Sequence, residues 1–278
     1  MTGLSNVRLS AIFYFFLICF SIFFVFAFPP FQKPDEPLHF ERAYALAMGQ
    51  ITCKFDAKHT RGYFTFPKSV STFSDAMMSS AIIMKPEGKF PIALLRAHYP
   101  IEKSVTMDLL YNCRLPFTGY VPLSLGVLLT MPFNNLLISF YAARLMAALF
   151  FVGAVYISLR IVTPRYRLIV MFSSIFPMVL QQVTAVSYDS VSIATGFILF
   201  ALFTRQLERK TISIRELLAT YGILLIFLFT KPGYYLFALL LVVPIRLVRM
   251  PIGKKIILSL ILFAGITWCV WYSLTLRI

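Results

Sequence analysis

The chain has 278 residues, of which 59% are hydrophobic, 16% aromatic and only 13% charged. A soluble globular domain is nearer half apolar and a quarter charged, so an ordinary water-soluble protein is excluded, and disorder is excluded by the same hydrophobicity. A net charge of +15 suggests nucleic acid, but a nucleic-acid binder clusters its cations on one soluble face. Here they are spaced between long apolar runs, which is the pattern of an all-α polytopic membrane protein with no nucleic-acid partner.

A crossing helix needs about 20 mostly apolar residues. Residues 9–28 supply the first, preceded by Arg8. No Ala-x-Ala cleavage pattern follows, only Pro29 and Pro30, so the helix is read as retained. Residues 30–118 then hold eleven Lys/Arg, eight of the eleven Asp/Glu and all three histidines, the one stretch of soluble character.

That stretch opens with PPFQKPDEPLHFERAY, residues 29–44. Its prolines hold the chain extended and keep Asp35 and Glu36 within a few residues of the membrane surface. From Leu38 onward the spacing of Leu38, Arg42, Ala45 and Gly49 suits a short helix on the membrane, with His39 and Arg42 about one turn apart. The segment reads either as a stiff linker whose acids favour a helix start or as a reactive-carboxylate site. Cys53 and Cys113 fall in the same loop, where a disulfide between them can form in an oxidising compartment. Cys19 and Cys269 lie in apolar spans and read as small packing residues.

Residues 119–133 are apolar but only about 15 long and bounded by Pro122 and Pro132. They are read as an interfacial helix, because a crossing there would move eleven clustered cations to the outside. Apolar runs follow at 136–161, 168–186, 191–203, 217–229, 235–248 and 256–274. Basic clusters separate alternate runs: Arg160, Arg165 and Arg167; Arg205, Arg209, Lys210 and Arg215; Arg246, Arg249, Lys254 and Lys255. The positive-inside rule puts these and the amino terminus in the cytoplasm. The expectation is a single membrane domain of about seven spans, 9–28 and six more within 136–274, with a large extracytoplasmic loop at 30–134.

Asp189 is the only acid between that loop and Glu208, and it stands at the outer mouth of a span. An ionisable group there is a functional candidate, and equally a helix cap. Arg144 and Lys231 are the cations expected at the same surface, either snorkelling to lipid phosphate or serving a site. Together, Asp35, Glu36, Asp189, Arg144 and Lys231 equip one membrane face for transfer from a lipid phosphate: cations hold the leaving phosphate while a carboxylate accepts a proton. A divalent cation, Mg or Mn, held by Asp35, Glu36 and Asp189 is chemically compatible.

PPFQKPDEPLHFERAYALAMG, LPFTGYVPLSLGVLL, the AARL around Arg144, the SYDS around Asp189 and LFTKPGYYLFALLLVVP occur in that order. In them the chain resembles the bacterial membrane proteins grouped as domain of unknown function 2142. The resemblance implies kinship with the GT-C fold glycosyltransferases of the bacterial inner membrane, which use polyprenyl-phosphate-linked sugars on the extracytoplasmic face. It implies Asp35 as general base with Glu36 beside it, Asp189 as a second outer acid, and membrane-parallel helices in the first loop. On that reading Arg144 and Lys231, with Arg42 and His39 nearby, bind the donor phosphate of an inverting cell-envelope glycosyltransferase. Two other readings stand beside it. One is a non-catalytic binder, transporter or partner subunit for lipid-linked saccharides. The other is a shortened, inactive member, since family members usually continue with further spans.

Overall fold

In a computed structural model, residues 2–54, 62–79, 90–102, 105–109 and 116–275 are described. Helix α1, Thr2–Ala27, is apolar on all sides and stops before Pro29 and Pro30, which cannot continue the helical hydrogen bonding. Two residues of the turn that follows, Phe31 and Asp35, hold left-handed backbone at φ 59° and 58°. Then come α2, Glu36–Ala47, strand β1, Tyr63–Pro67, α3, Lys68–Ser79, the single turn α4, Ala93–Arg96, and β2, Val105–Leu109. The strands pair antiparallel with Tyr63 opposite Leu109. This small two-stranded sheet is an addition to the all-helical expectation; Tyr63-Phe64-Thr65-Phe66 alternates along β1.

A 3-10 turn at Phe117–Tyr120 leads into α5, Val121–Thr130, and α6, Leu136–Ile161. Gly126 abuts the Ala142 backbone, where a Cβ would sit 2.5 Å from the carbonyl oxygen, and Thr130 donates to Ser139 at 3.2 Å. The expected interfacial helix is therefore one arm of a helical hairpin with α6. Beyond it lie α7, Arg167–Ser174, α8, Pro177–Val183, α9, Asp189–Leu207, and α10, Ile214–Thr230. A 3-10 stretch at Pro232–Leu241, the six-residue α11, Val242–Leu247, and α12, Ile252–Thr275, complete the order.

Among the described residues, four helices are long and apolar enough to cross a membrane, or up to five if Pro164–Ser174, which includes α7, and α8, bent by 71°, form one broken span. The expected seven spans are not confirmed by this count, and proline explains most of the difference. Pro177 forces Phe176 out of helical geometry, to ψ 131°, and divides the run at 168–186. Pro232 and Pro244 leave the run at 235–248 as 3-10 helix plus a short α11, and α10 is 17 residues long.

The 30–118 stretch packs onto the bundle. Phe31, Phe40 and Phe73 meet Phe140 of α6 edge-to-face in one core with Tyr120, Leu123 and Val127. The bundle has two chemically distinct ends. Helix α9 runs away from Asp189 and α10 returns, bringing Lys231 back to within 2.8 Å of it. At the far end Arg209 pairs with Glu216, Thr163 donates to Glu208 at 3.1 Å and Ile212 N–H donates to Leu247 at 3.2 Å. The three basic clusters thus share one end; the carboxylate sites and Lys231 share the other.

Candidate functional site

Glu36, the first residue of α2, is fully buried and gripped by Arg144, whose Nε and terminal nitrogen reach the two carboxylate oxygens at 2.9 and 2.6 Å. The same guanidinium donates to the carbonyls of Val25, Phe28 and Pro29 at 2.9, 2.6 and 3.1 Å. Glu36 also accepts from the backbone N–H of Val186 at 3.0 Å and of Lys33 at 3.4 Å. Every guanidinium nitrogen and both carboxylate oxygens are engaged inside the protein. The roles expected for them, Arg144 on a donor phosphate and Glu36 as a catalytic carboxylate, give way to a structural one: the pair fastens the end of α1 to α6 and to the α8–α9 connection. Lys33 lies beside them, 2% exposed, donating to Thr184 Oγ1 at 2.8 Å and to the Phe24 carbonyl at 3.2 Å. Burial, aided by the charge of Arg144 and opposed by Glu36, lowers its pKa to about 7.

Arg42 is likewise turned inward. It donates to the Gln50 and Ile51 carbonyls at 3.0 and 2.8 Å and lies 4.2 Å from the Phe64 ring centroid, so it closes the turn after α2 instead of facing a phosphate. Burial pulls its pKa to about 10. His39 shares a 2.6 Å hydrogen bond between Nδ1 and the Tyr120 hydroxyl and stands edge-on to Tyr188 at 5.0 Å. Burial lowers the His39 pKa against the pull of Asp35, Asp189 and Glu36, so the imidazole favours its neutral form. Burial also drives the Tyr120 hydroxyl well upward.

Of the remaining candidates at this end, Asp35 is exposed while Asp189 and Lys231 are half-buried. Asp35 occupies the N-cap position of α2, but its carboxylate accepts no capping hydrogen bond. Its left-handed backbone is uncommon outside glycine, though Asp tolerates it better than most. Its side chain lies on the wall of a cavity of about 450 Å³ that also touches Leu38, Glu41, Ser74 and Asp75. Asp189 is the first residue of α9, with Tyr188 as the cap, so neither acid is spent on helix capping. Asp189 accepts from Lys231 at 2.8 Å, and Lys231 lies 5.5 and 5.3 Å from the Tyr188 and Tyr234 rings. Burial lowers the Lys231 pKa, but the bond and charge of Asp189 outweigh it and the net shift is upward. The pair edges a second cavity of about 470 Å³ with Gln182, Ser192 and Phe227. Asp35 and Asp189 each act electrostatically on His39, Tyr120 and Tyr188, which places both carboxylates around one aromatic cluster.

The expected divalent-cation site does not fit these residues. Glu36 is saturated by Arg144, Asp189 is paired with Lys231, and among the described residues no three His, Cys, Asp or Glu side chains are grouped to hold a metal. Cys53 is disulfide-bonded; Cys113, its expected partner, lies outside the described residues. Cys19 is free and exposed on α1. Sequence reasoning passed over Lys33, Tyr120 and Tyr188. For Lys33 the signal was present, since a lysine within the proline-rich turn abuts the end of a span. The tyrosines offered none.

A bundle of membrane-length helices with its basic clusters at one end and a carboxylate–lysine site at the other defines a polytopic membrane protein. Residues 16–278 match the family model "Predicted membrane protein (DUF2142)", and the chain belongs to that family. No curated protein and no solved structure matches it.

Proposed function

We propose that the chain is an inverting glycosyltransferase that takes a sugar from a polyprenyl-phosphate donor at the membrane end carrying Asp35, Asp189 and Lys231. That end is the extracytoplasmic one if the positive-inside rule holds for the three basic clusters. The observation that supports the reading is the unspent carboxylate of Asp35, held in left-handed backbone on a cavity wall and within electrostatic reach of the cluster that Asp189 and Lys231 border.

In this reading Asp35 accepts the proton of an acceptor hydroxyl as its oxygen attacks the anomeric carbon. The bond from that carbon to the phosphate oxygen breaks, and the electron pair leaves with the lipid phosphate. Lys231 stabilises the departing charge, and Asp189 keeps the ammonium protonated and aimed. Asp35→Asn keeps the shape but removes the base, and is expected to lower transfer from a lipid-linked sugar donor by about 100-fold or more without changing detergent-solubilised thermal stability. Full activity in that variant removes Asp35 from the chemistry.

A further inference from the structure

At the opposite end of the bundle, Arg246 of α11 and Lys255 of α12 stand at the mouth of a trough of about 450 Å³. Ile252, Ile256, Leu260 and Phe263 line it, falling on one face of α12 at helical spacing. From Ile252 to Phe263 the helix rises about 16 Å, close to half of a hydrocarbon core about 30 Å thick. The trough is thus about one leaflet deep, cationic at its mouth and apolar along its length. Only 12% of this span is buried against the rest of the protein, so the trough opens toward lipid.

Among the described residues no Asp or Glu forms an ion pair with the cations at the mouth, and Glu216 at this end is taken by Arg205 and Arg209. Arg246, Arg249, Lys254 and Lys255 lie within ten residues, and no Asp or Glu occurs after Glu216. Lys255 Nζ donates to the Arg246 carbonyl at 2.9 Å, which keeps its ammonium beside the α11 terminus. Basic pockets between spanning helices recognise anionic head groups.

We propose that this trough binds one anionic glycerophospholipid, with its phosphate between Arg246 and Lys255 and one acyl chain along α12. The inference stands apart from sugar transfer, because it uses no residue of the Asp35 end.

Native mass spectrometry of the detergent-purified protein, titrated with dioleoyl phosphatidylglycerol, tests it. One phosphatidylglycerol is expected to be retained per chain, with the zwitterionic dioleoyl phosphatidylcholine retained far less. R246Q/K255Q is expected to weaken retention by about 30-fold, from about 1 kcal/mol for each cation. Ser259→Phe, which fills the trough and leaves every charge in place, is expected to abolish it. R160Q/R165Q, at another basic cluster, is expected to leave retention unchanged. Equal retention of the two lipids, or equal loss in R160Q/R165Q and R246Q/K255Q, overturns the proposal.

Discussion

A guanidinium and a carboxylate removed from water are tolerated only when nearly all their polar atoms find partners, because desolvation outweighs attraction otherwise. Glu36 and Arg144 meet that condition through five chain segments. Glu36→Gln leaves the Arg144 charge buried without its counter-ion and is expected to cost about 3–5 kcal/mol, read as a large drop in thermal stability in detergent. Adding Arg144→Met to Glu36→Gln is expected to recover part of that loss. Lys33 gives a pH dependence of definite sign. Its pKa is about 7 in the folded chain against about 10.4 when unfolded, so the unfolded state binds more protons between these values and stability rises with pH across that window. The difference in melting temperature between wild type and Lys33→Met is expected to shift in favour of wild type from pH 7 to pH 9.5; a difference independent of pH would show that Lys33 is not buried in this way. Asp35, Asp189 and Lys231 were legible from sequence because each sits beside a span end, where charge is scarce. Glu36 and Arg144 satisfied the same test for a different reason. Their 108-residue separation leaves no mark in either local segment, so a mutual pair and two substrate ligands look alike.

At the level of elements, proline decided what periodicity left open. Hydropathy sees an apolar run at 168–186 or 235–248 as continuous, but the backbone breaks wherever a proline removes a donor and disfavours helix in the residue before it. The α5–α6 hairpin depends instead on a missing side chain. Gly126 lies so near the Ala142 backbone that Gly126→Val must part the two helices, and a loss of at least several degrees in melting temperature is expected. Gly153, in the same α6, meets nothing within 4 Å of a built Cβ. Gly153→Ala is expected to stabilise by about 0.5–1 kcal/mol through backbone entropy alone. If the two substitutions behave alike, the close approach at Gly126 is not what joins the hairpin. Neither the hairpin nor the β1–β2 pair was readable from composition, since each depends on a partner distant in sequence or on packing.

For the molecule as a whole, the segregation of charge was the most legible feature. Acids are nearly confined to one stretch and basic clusters recur at alternate loops, and the fold gathers the three basic clusters at one end and Asp35, Glu36 and Asp189 at the other. The engagement of Glu36 by the Val186 backbone at a separation of 150 residues also constrains biogenesis. Until Arg144 is made Glu36 has no guanidinium partner, and until Val186 follows it has only the nearby Lys33 amide as a backbone donor. Closure comes when the α8–α9 connection has emerged, so insertion of α1 and its final docking are separate events in time.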